Sequence, residues 1–373
     1  MKNSVKKLFM LFTQIYNVFS IKNDRIFLMS FDGTKLGFDS LAFVNWLNKY
    51  HKNKYEIIWG VKDSEYEKKL SLENTKFVSI KSIKGIYYLK TSKVLLYNIN
   101  PPSYLKFRKQ QILVNSWHGY AFKKVGKYVK PFDKKQFNMS TCMLSHSNLY
   151  SKQVIKDSFE FSGEILNIGT PRNDVFFNAK QIEMVEQLIK KQYGVSSEEK
   201  VLLYAPTFRN DFEIGELNID IKSVKNTLEK RFNCKCCVFL RLHPLITSNY
   251  KPDIENVVDV SLYPNMQDLL CTADFLITDY SSCIWDFGLM KKPAFIFADD
   301  YENYKNGRGL YSPLEETPFK VATTNEELLL NINNFSESDY YQNLNSYYEK
   351  IGTYEKGVCC EQLYKYLLKK GFE

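Results

Sequence analysis

The chain has 373 residues, of which 44% are hydrophobic, so it is long enough for two domains and too apolar to be disordered. Its formal net charge of +9 favours an anionic partner, such as phospholipid headgroups, a phosphate polymer or nucleic acid, without choosing among them. Its longest apolar runs, for example residues 8–12 and 293–298, are too short to cross a bilayer as a helix, which argues against a membrane-spanning protein.

Residues 1–20 form the first predicted element, a basic amphipathic helix. Apolar residues recur at helical spacing from Val5 to Phe19, and three lysines stand near the start. Such a helix either docks on the inner membrane surface or packs on its own domain, and the sequence leaves both open. The first alternative predicts a peripheral protein at the cytoplasmic face of the cell membrane. No small-residue cleavage site follows, which argues against a signal peptide.

Two series of strand-like runs follow, separated by helical spacing, with a plausible linker at 193–197. The runs are 25–30, 56–61, 76–80, 93–97, 111–116, 141–145 and 164–168, and then 200–204, 236–242, 257–260, 274–278 and 294–297. Strands that alternate with helices predict mostly parallel, doubly wound sheets. We therefore expect one α/β domain at 21–190, a second at 191–337 and a cleft between them. Residues 338–373 predict helices that pack back on the first domain.

The stretch from Asp274 to Asp286 carries the clearest local signal. Its apolar run 275–277 predicts a buried strand, and Ser281 and Ser282 stand where they can cap a following helix. A helix N-terminus with two hydroxyl groups favours an anion, most naturally a phosphate. Asp286, one turn further on, is expected to face the same cleft as Ser282. The alternative is an ordinary turn whose serines only cap the helix.

His118 is the candidate general base. The sequence Trp117-His118-Gly119 follows the predicted strand 111–116 directly, and open α/β sheets bind ligands at the carboxyl ends of their strands. Imidazole titrates near neutrality and can take a proton from a hydroxyl nucleophile. The alternative is a histidine that is only hydrogen-bonded in a turn.

Two more strand ends carry groups that suit a phosphate. Arg241 and His243 stand at alternate positions, so both are expected to project the same way and to bind a diphosphate. The sequence 204–209, Tyr-Ala-Pro-Thr-Phe-Arg, ends another strand in a similar way. With Ser281 and Ser282, three strand ends in the second half of the chain agree on an anionic ligand.

Metal-centred chemistry finds no support in the motifs. Eight cysteines stand mostly in predicted strands and helices, which indicates reduced thiols. Cys234, Cys236 and Cys237 lack a second pair at zinc-site spacing, and the chain contains no Asp-x-Asp, Walker loop or His-Glu-x-x-His. We therefore expect neither a metal nor a cofactor.

Six motifs between residues 110 and 312 resemble, in sequence and in order, those of the CDP-glycerol glycerophosphotransferases that build teichoic acids and capsular polymers. The resembling stretches are 115–119 (NSWHG), 169–174 (GTPRND), 204–209 (YAPTFR), 241–244 (RLHP), 277–282 (ITDYSS) with Asp286-Phe287, and 308–311 (RGLY). The resemblance implies a GT-B architecture, with two facing Rossmann-like doubly wound domains, an inter-domain cleft and the donor nucleotide held mainly by the second domain.

The resemblance also implies a reaction and a set of site residues. His118 would deprotonate a hydroxyl of a lipid-linked or saccharide acceptor, which would attack the β-phosphate of CDP-glycerol or CDP-ribitol and release CMP. His118 and His243 would be catalytic. The residues that would contact the donor are His118, Gly119, Tyr120, Ala121, Phe122, Arg172, Pro206, Thr207, Arg241, Leu242, His243, Ser281, Ser282 and Asp286.

One departure from the family pattern concerns the acceptor side. After Trp-His-Gly the family usually has Thr-Pro-Leu, whereas this chain has Tyr120-Ala121-Phe122. This chain therefore lacks the usual proline and has two larger aromatic side chains on the acceptor side of the predicted site.

Two other function classes remain open on the sequence. A GT-B glycosyltransferase that uses a nucleotide sugar would share the fold and a similarly placed histidine, but would not require Arg241, His243 and the Thr-Asp-Tyr-Ser-Ser sequence together. A basic binding module for nucleic acid or an anionic polymer would suit the charge. The chain carries no recognised nucleic-acid motif, so we expect no nucleic-acid partner.

Overall fold

The computed structural model describes residues 10–63, 70–101, 105–120, 122–207, 218–242, 257–307 and 309–373. Within these residues the chain forms two units. Unit 1 comprises the described residues up to His118, then Val125–Asp174 and Thr353–Glu373, and unit 2 comprises Gly119–Lys124 and Val175–Gly352. The chain therefore enters unit 2 twice, first through the short segment 119–124, which we call the strap.

Seven parallel strands form the sheet of unit 1, in the order β3-β2-β1-β4-β5-β6-β7. Their bounds are Lys22–Met29 (β1), Glu56–Val61 (β2), Thr75–Ser79 (β3), Ser92–Tyr97 (β4), Ile112–Asn115 (β5), Cys142–Ser145 (β6) and Glu164–Asn167 (β7). The chain order reverses between β1 and β4, so this pair is the topological switch point of the sheet.

The strands of unit 1 form where the sequence has short apolar runs. Ile57, Ile58 and Trp59 in β2 are at most 2% exposed, although consecutive residues of a strand point to opposite faces. Both faces of the sheet are therefore covered, as parallel sheets require.

Helices cover the unit 1 sheet. Their bounds are Phe38–Tyr50 (α1), Ile83–Thr91 (α2), Lys134–Phe137 (α3) and Asn148–Tyr150 (α4), the last continuing as a π-helical stretch over Ser151–Ser158. The start of α2 is fixed by Ser82, whose Oγ accepts a hydrogen bond of 2.9 Å from the N–H of Gly85. A loop joins the end of β1 to the start of α1. Because β1 is one of the two strands of the switch point, this loop lies at the switch point.

Six parallel strands form the sheet of unit 2, in the order β10-β9-β8-β11-β12-β13. Their bounds are Lys200–Ala205 (β8), Cys236–Leu240 (β9), Val257–Asp259 (β10), Phe275–Thr278 (β11), Ala294–Phe297 (β12) and Lys320–Ala322 (β13). The switch point here lies between β8 and β11, the strands that are followed directly by Pro206 and Asp279.

Seven helices accompany the described strands of unit 2. Their bounds are Ala179–Tyr193 (α5), Ile221–Phe232 (α6), Met266–Thr272 (α7), Cys283–Gly288 (α8), Tyr301–Gly307 (α9), Asn325–Asn333 (α10) and Glu337–Ile351 (α11). Helix α5 is followed by Gly194, whose φ of 69° is the left-handed conformation that favours glycine after the last residue of a helix. The last helix, α12 (Cys359–Lys369), belongs to unit 1.

The boundaries of the units differ from the sequence prediction at three places. Helix α5 belongs to unit 2 rather than to the first domain, because Ile189 is buried in the unit 2 core. Helix α11 stays in unit 2 because Leu344 lies in the same core, so only the residues after Gly352 return to unit 1. The strap joins unit 2 because Tyr120 and Phe122 are buried there.

The N-terminal segment of the described chain, residues 10–18, is helical and belongs to unit 1. Phe19 packs edge-on against Tyr87, with ring centroids 5.3 Å apart. Leu11, Ile15 and Val18, in contrast, are 59%, 61% and 79% exposed. The segment thus packs on its own unit and still presents apolar side chains to solvent. Residues 1–9 lie outside the described residues. Among the described residues, no helix is long and apolar enough to cross a membrane.

Candidate active site

His118 lies at the carboxyl edge of the unit 1 sheet, next to its switch point. It follows β5, which pairs with β4, and β4 ends one residue before Asn98. The loop after β1 approaches the same place, because the N–H of Phe31 donates a hydrogen bond of 2.9 Å to Oδ1 of Asn98. Crevices outside the switch point of open α/β sheets are the usual ligand sites.

The tautomer of His118 follows from the hydrogen bond that its ring makes to the backbone. Its Nδ1 lies 3.0 Å from the backbone carbonyl oxygen of Asn98. A carbonyl oxygen can only accept, so Nδ1 carries the proton and Nε2 keeps its lone pair. Nε2 has no hydrogen-bond partner among the residues that the structure describes. His118 is therefore oriented as a base whose accepting atom is available.

Two aromatic rings flank the imidazole of His118. The ring centroids of Phe31 and Trp117 lie 5.3 Å and 4.2 Å from that of His118. Both residues have left-handed backbones, with φ of 47° and 54°. Such conformations cost a non-glycine residue on the order of 1–3 kcal/mol and concentrate at functional sites.

Two asparagines hold these strained residues in place. Asn98 accepts the N–H of Phe31, and Oδ1 of Asn115 accepts the N–H of Trp117 at 2.9 Å. Asn115 is fixed in turn by donating from Nδ2 to Oδ1 of Asn100 at 2.7 Å. The ends of the adjacent strands β4 and β5 thus position both rings that enclose His118.

The surroundings of His118 keep it neutral. Burial lowers its pKa to about 4, against a smaller raising effect of the Asn98 carbonyl, and the more distant positive charges of Arg172 and Lys35 lower the pKa a little further. At neutral pH the ring is therefore uncharged and able to accept a proton.

Arg172, predicted to contact the donor, is 3% exposed in unit 1. Its guanidinium lies 3.2 Å from Oδ2 of Asp39, and its backbone N–H donates to the other carboxylate oxygen at 3.1 Å. Asp39 stands in the first turn of α1, where a carboxylate is favoured by the helix dipole. These contacts describe a buried ion pair that fixes the start of α1 and brings a positive charge near His118.

In unit 2, Thr207 and Asp279 connect the two strands of the switch point. The backbone N–H of Thr207 donates to both carboxylate oxygens of Asp279, at 2.9 and 3.0 Å, and its hydroxyl donates to Oδ2 at 3.0 Å. Thr207 is half-buried, as is Pro206 before it. The carboxyl ends of β8 and β11 are therefore held together by residues at the predicted site.

The serine cap predicted at α8 does not form as expected. Helix α8 begins at Cys283, and the side chain of Ser282 makes no capping hydrogen bond. Oγ of Ser281 accepts the N–H of Cys283 at a long 3.4 Å. The cause is backbone geometry, since Ser282 already has helical dihedral angles (φ −65°, ψ −11°), whereas a capping residue is extended. Both serines are half-buried.

Asp286 does not share the partly exposed setting of Ser282. It is 4% exposed, and its Oδ2 accepts a hydrogen bond of 3.2 Å from Nε2 of Gln267 in α7. The side chain thus joins α8 to α7.

The strap brings Gly119 against Ser282. A Cβ atom at Gly119 would lie 2.4 Å from Oγ of Ser282, so a larger residue would require this hydroxyl to move. Further along, the ring of Phe122 packs on Trp285 at 5.2 Å, and that of Tyr120 lies 6.2 Å from the same ring. The aromatic residues that replace the usual Thr-Pro-Leu therefore anchor the strap in the unit 2 core.

Backbone hydrogen bonds complete the anchoring of the strap. The N–H of Tyr311 donates to the carbonyl of Phe122 at 3.0 Å, and the N–H of Lys124 donates to that of Gly309 at 3.1 Å. The described part of the strap is thus fixed to unit 2 by its side chains and its backbone. Ala121 lies outside the described residues.

Arg241 follows β9 and is held by a hydrogen bond of 2.9 Å from its guanidinium to the carbonyl of Tyr263. Burial lowers its pKa, and Cys283, the first residue of α8, lies within electrostatic range. Leu242 is 2% exposed and belongs to the core. His243 lies outside the described residues, so its predicted alignment with Arg241 stays a prediction.

The described part of the chain was also compared with what a metal site and a reactive thiol require. Within those residues no group of three or more His, Cys, Asp or Glu side chains could hold a metal ion. All eight cysteines are free thiols. Burial raises the pKa of Cys236, the middle member of the three-cysteine sequence, to about 12, which suits an inert core thiol.

Sequence reasoning missed several residues that the structure places around His118. They are Phe31, Lys35, Asn98 and Asn115. A signal was present for Asn98, because it is a polar residue directly after the predicted strand 93–97, which is the position that singled out His118. Phe31 and Lys35 gave no local signal, since they approach His118 only through the fold.

The family model of CDP-Glycerol:Poly(glycerophosphate) glycerophosphotransferase matches residues 10–369. The chain belongs to this family. The family predicted from the ordered motifs is thus confirmed.

Curated relatives of the chain include proteins of two lengths. The teichoic acid glycerol-phosphate transferase of Staphylococcus aureus (strain NCTC 8325 / PS 47) is 27% identical over 99% of this chain and 100% of that protein. The teichoic acid poly(glycerol phosphate) polymerase of Bacillus subtilis (strain 168) is 26% identical over 98% of this chain and 50% of that protein. The chain spans about half the length of the latter polymerase.

A solved structure of the wall teichoic acid polymerase TagF matches with a TM-score of 0.83 at 26% identity, covering 98% of this chain and 95% of that one. This match and the two parallel sheets confirm the predicted GT-B fold. A putative UDP-N-acetylglucosamine 2-epimerase from Listeria monocytogenes, 11% identical with a TM-score of 0.56 over 94% of this chain and 97% of that one, shares the fold alone. The glycerophosphotransferase family, and not the fold, therefore narrows the chemistry.

Proposed function

We propose that this chain transfers glycerol phosphate or ribitol phosphate from a CDP-alditol to a hydroxyl of a lipid-linked or saccharide acceptor in the synthesis of teichoic acid or a related capsular polymer. The observation that carries the proposal is the hydrogen bond from Nδ1 of His118 to Asn98, which leaves Nε2 as an oriented base. Membership of the glycerophosphotransferase family supports the substrate class.

In the proposed reaction, Nε2 of His118 accepts the proton of the acceptor hydroxyl as its oxygen attacks the β-phosphorus of the donor. The bond from this phosphorus to the bridging oxygen breaks, and CMP leaves with the bonding electron pair. The products are a phosphodiester, CMP and a proton on His118 that returns to solvent. Such a reaction depends on positioning and charge neutralisation more than on covalent catalysis.

A neutral histidine suits this step better than a charged one. A protonated imidazole cannot accept a proton, so the low pKa of His118 keeps the base in its active form at neutral pH. The low pKa also makes His118 a weaker base. This is tolerable because the proton needs to transfer only as the new bond to phosphorus forms.

We further propose that unit 2 binds the diphosphate of the donor. Thr207, Ser281 and Ser282 are half-buried hydroxyl groups at its switch point, and Arg241 contributes a positive charge from the neighbouring strand β9. Charge-assisted hydrogen bonds to phosphate are among the strongest in proteins. His243 would add a further group to the diphosphate site, as the family resemblance implies.

The location that we propose is the cytoplasmic face of the cell membrane. The exposed apolar residues Leu11, Ile15 and Val18 form a surface that can enter the headgroup region of a lipid layer. The net charge of +9 favours anionic lipids. Sedimentation with phosphatidylglycerol vesicles, lost on Leu11→Ser with Ile15→Ser, would support this location, and equal sedimentation of the variant would contradict it.

A survey of donors tests the proposed function directly. Purified protein is incubated with a membrane or polymer acceptor and with CDP-glycerol, CDP-ribitol or a nucleotide sugar, and nucleotide release is measured with incorporation into the acceptor. CMP release that matches alditol phosphate incorporation is the expected result. Turnover of a nucleotide sugar, with no CMP released from either CDP-alditol, would replace the proposal by glycosyl transfer.

A further inference from the structure

The side-chain amide of Asn98 has a hydrogen-bond donor that the fold does not use. Asn98 is 1% exposed and follows β4 directly, at the carboxyl edge of the unit 1 sheet. A backbone N–H can only donate, so the amide atom that meets the N–H of Phe31 at 2.9 Å is the oxygen, Oδ1. This contact fixes the amide and identifies its other atom as Nδ2. Nδ2 is buried, and within the described part of the chain it has no hydrogen-bond partner.

The neighbouring strand end shows that such a donor is not required by the fold. Asn115 is fully buried at the end of β5, and its Oδ1 likewise accepts a backbone N–H, that of Trp117. Its Nδ2, however, donates to Oδ1 of Asn100 at 2.7 Å. Both asparagines therefore hold the backbone of an aromatic residue beside His118, and of the two only Asn98 keeps a donor for another group.

A buried donor without a partner is unfavourable, because the group has lost its hydrogen bonds to water. Most buried polar groups in folded proteins are therefore paired with protein, water or a ligand. The contact with Phe31 uses the oxygen of the Asn98 amide and does not account for the nitrogen. The nitrogen thus indicates a partner from outside the chain.

The surroundings of the amide indicate which partner it receives. The backbone oxygen of Asn98 holds Nδ1 of His118 at 3.0 Å, so the amide belongs to the residue that orients the base. In the proposed reaction the acceptor hydroxyl gives its proton to His118 and a lone pair to phosphorus. A further donor on that oxygen would weaken the nucleophile. The phosphoryl group that it attacks brings anionic non-bridging oxygens to the same place, and these are strong hydrogen-bond acceptors.

We propose that Nδ2 of Asn98 donates a hydrogen bond to a non-bridging oxygen of the phosphoryl group during its transfer, which makes Asn98 a catalytic residue. This inference rests on the proposed function and deepens it. A donor that is already fixed in the free enzyme stabilises charge on such an oxygen without having to reorient as the reaction proceeds. Asn98 then orients the base with its backbone, positions Phe31 with its amide oxygen and binds the reacting group with its amide nitrogen.

The test uses donors in which sulfur replaces one of the two non-bridging oxygens of the β-phosphate. This replacement makes the phosphorus chiral, so the CDP-alditol has two diastereomers, and each places the weakly accepting sulfur at a different position. We would measure kcat/KM with both diastereomers for wild type, Asn98→Ala, Asn98→Asp and the control Asn115→Ala. The control removes the acceptor for the N–H of Trp117 and leaves the amide of Asn98 in place.

We expect wild type to react more slowly with the diastereomer whose sulfur faces Nδ2. The ratio of the two kcat/KM values should change about tenfold or more in Asn98→Ala. Aspartate at neutral pH keeps an acceptor for Phe31 and lacks the amide donor, so Asn98→Asp should show the same change and decides the test if Asn98→Ala does not fold. Asn115→Ala should slow both diastereomers alike and keep the wild-type ratio, because it disturbs the surroundings of His118 without removing the donor.

A diastereomer ratio that is the same in wild type and in the folded Asn98 variants would overturn the inference. A ratio that changes equally in Asn115→Ala would also overturn it, since the change would then report a disturbed site rather than a lost donor. Turnover of the unmodified CDP-alditol by wild type separates the inference from the proposed function. If wild type releases CMP and the ratio does not depend on Asn98, the inference alone fails, whereas the absence of CMP release by wild type contradicts both.

Discussion

The imidazole of His118 donates from Nδ1 to the backbone carbonyl of Asn98 across a distance of 3.0 Å. Because the acceptor is a backbone atom, no substitution at Asn98 removes it. The side chain of Asn98 has a separate task, which is to hold the N–H of Phe31. The tautomer of the base and the position of its aromatic neighbour can therefore be tested independently.

The first prediction concerns the pH dependence of activity. The acid limb of kcat/KM reports the free enzyme, so it should fall near pH 4 rather than near the ordinary histidine value of 6.5. The profile is measured from pH 3.5 to 8 with the fold monitored by circular dichroism. An acid limb near 6.5 would show that His118 is not desolvated as the structure indicates.

The same pKa shift predicts how stability changes with pH. Between pH 4 and 6.5 the unfolded chain binds a proton at His118 that the folded chain excludes, so the free energy of unfolding should fall as pH falls through this window. His146, whose pKa is also lowered by burial, acts with the same sign. Urea unfolding at several pH values should show a shallower dependence for His118→Gln than for wild type.

The second prediction separates Asn98→Ala from Asn98→Asp. Alanine leaves the half-buried N–H of Phe31 without the Asn98 acceptor, so Phe31 should shift and turnover should fall, by about tenfold to a hundredfold. Aspartate keeps the acceptor and places a negative charge near His118, which should move the acid limb to higher pH. Asn45→Ala, at an exposed position on α1, is the control. Identical pH profiles for wild type and Asn98→Asp would contradict this placement of Asn98.

The sequence predicts those parts of the site that depend on neighbouring residues, and not those that depend on contacts between residues far apart in the chain. The apolar run 56–61 predicts β2 with the bounds that the structure has, because strand formation follows local pattern. His118 was found because its Trp-His-Gly sequence follows a predicted strand, and Ser282 because it stands at the predicted start of the helix after one. Phe31 could not be found in this way, since its contact with Asn98 joins residues 67 positions apart.

The strap shows a second limit of sequence reasoning. The family resemblance implies that Tyr120 and Phe122 contact the donor, and in the structure both are buried with their rings near that of Trp285. An apolar side chain beside a site residue suits ligand contact and core packing equally well. The fold, which brings α8 to the strap, shows the core packing, and the donor contact stays a prediction.

The third prediction is a double-mutant cycle on Gly119 and Ser282. Gly119→Ala would force Oγ of Ser282 from its position, since the new Cβ would lie 2.4 Å from it. We expect KM for the donor to rise about tenfold, because the displaced hydroxyl belongs to the proposed diphosphate site. Ser282→Gly removes both the hydroxyl and the obstacle, so adding Gly119→Ala to it should cost little more. Additive effects of the two substitutions would contradict the contact.

The fourth prediction assigns Arg172 to stability rather than to the donor. Arg172→Met breaks the ion pair between the buried side chains of Arg172 and Asp39, which should lower the free energy of unfolding by about 3–5 kcal/mol. The double variant Asp39→Leu with Arg172→Met should recover part of this loss and bind CDP-glycerol as wild type does. Weak donor binding by a stably folded double variant would instead support the donor contact that the family resemblance implies.

The most direct test of the account replaces the proposed base. CMP release from CDP-glycerol or CDP-ribitol is measured for wild type and His118→Gln, with donor affinity determined by calorimetry for both proteins. We predict that turnover falls about a hundredfold to ten-thousandfold in His118→Gln while the donor dissociation constant stays within about twofold of wild type. Turnover close to wild type in a folded His118→Gln protein would show that another group takes the proton.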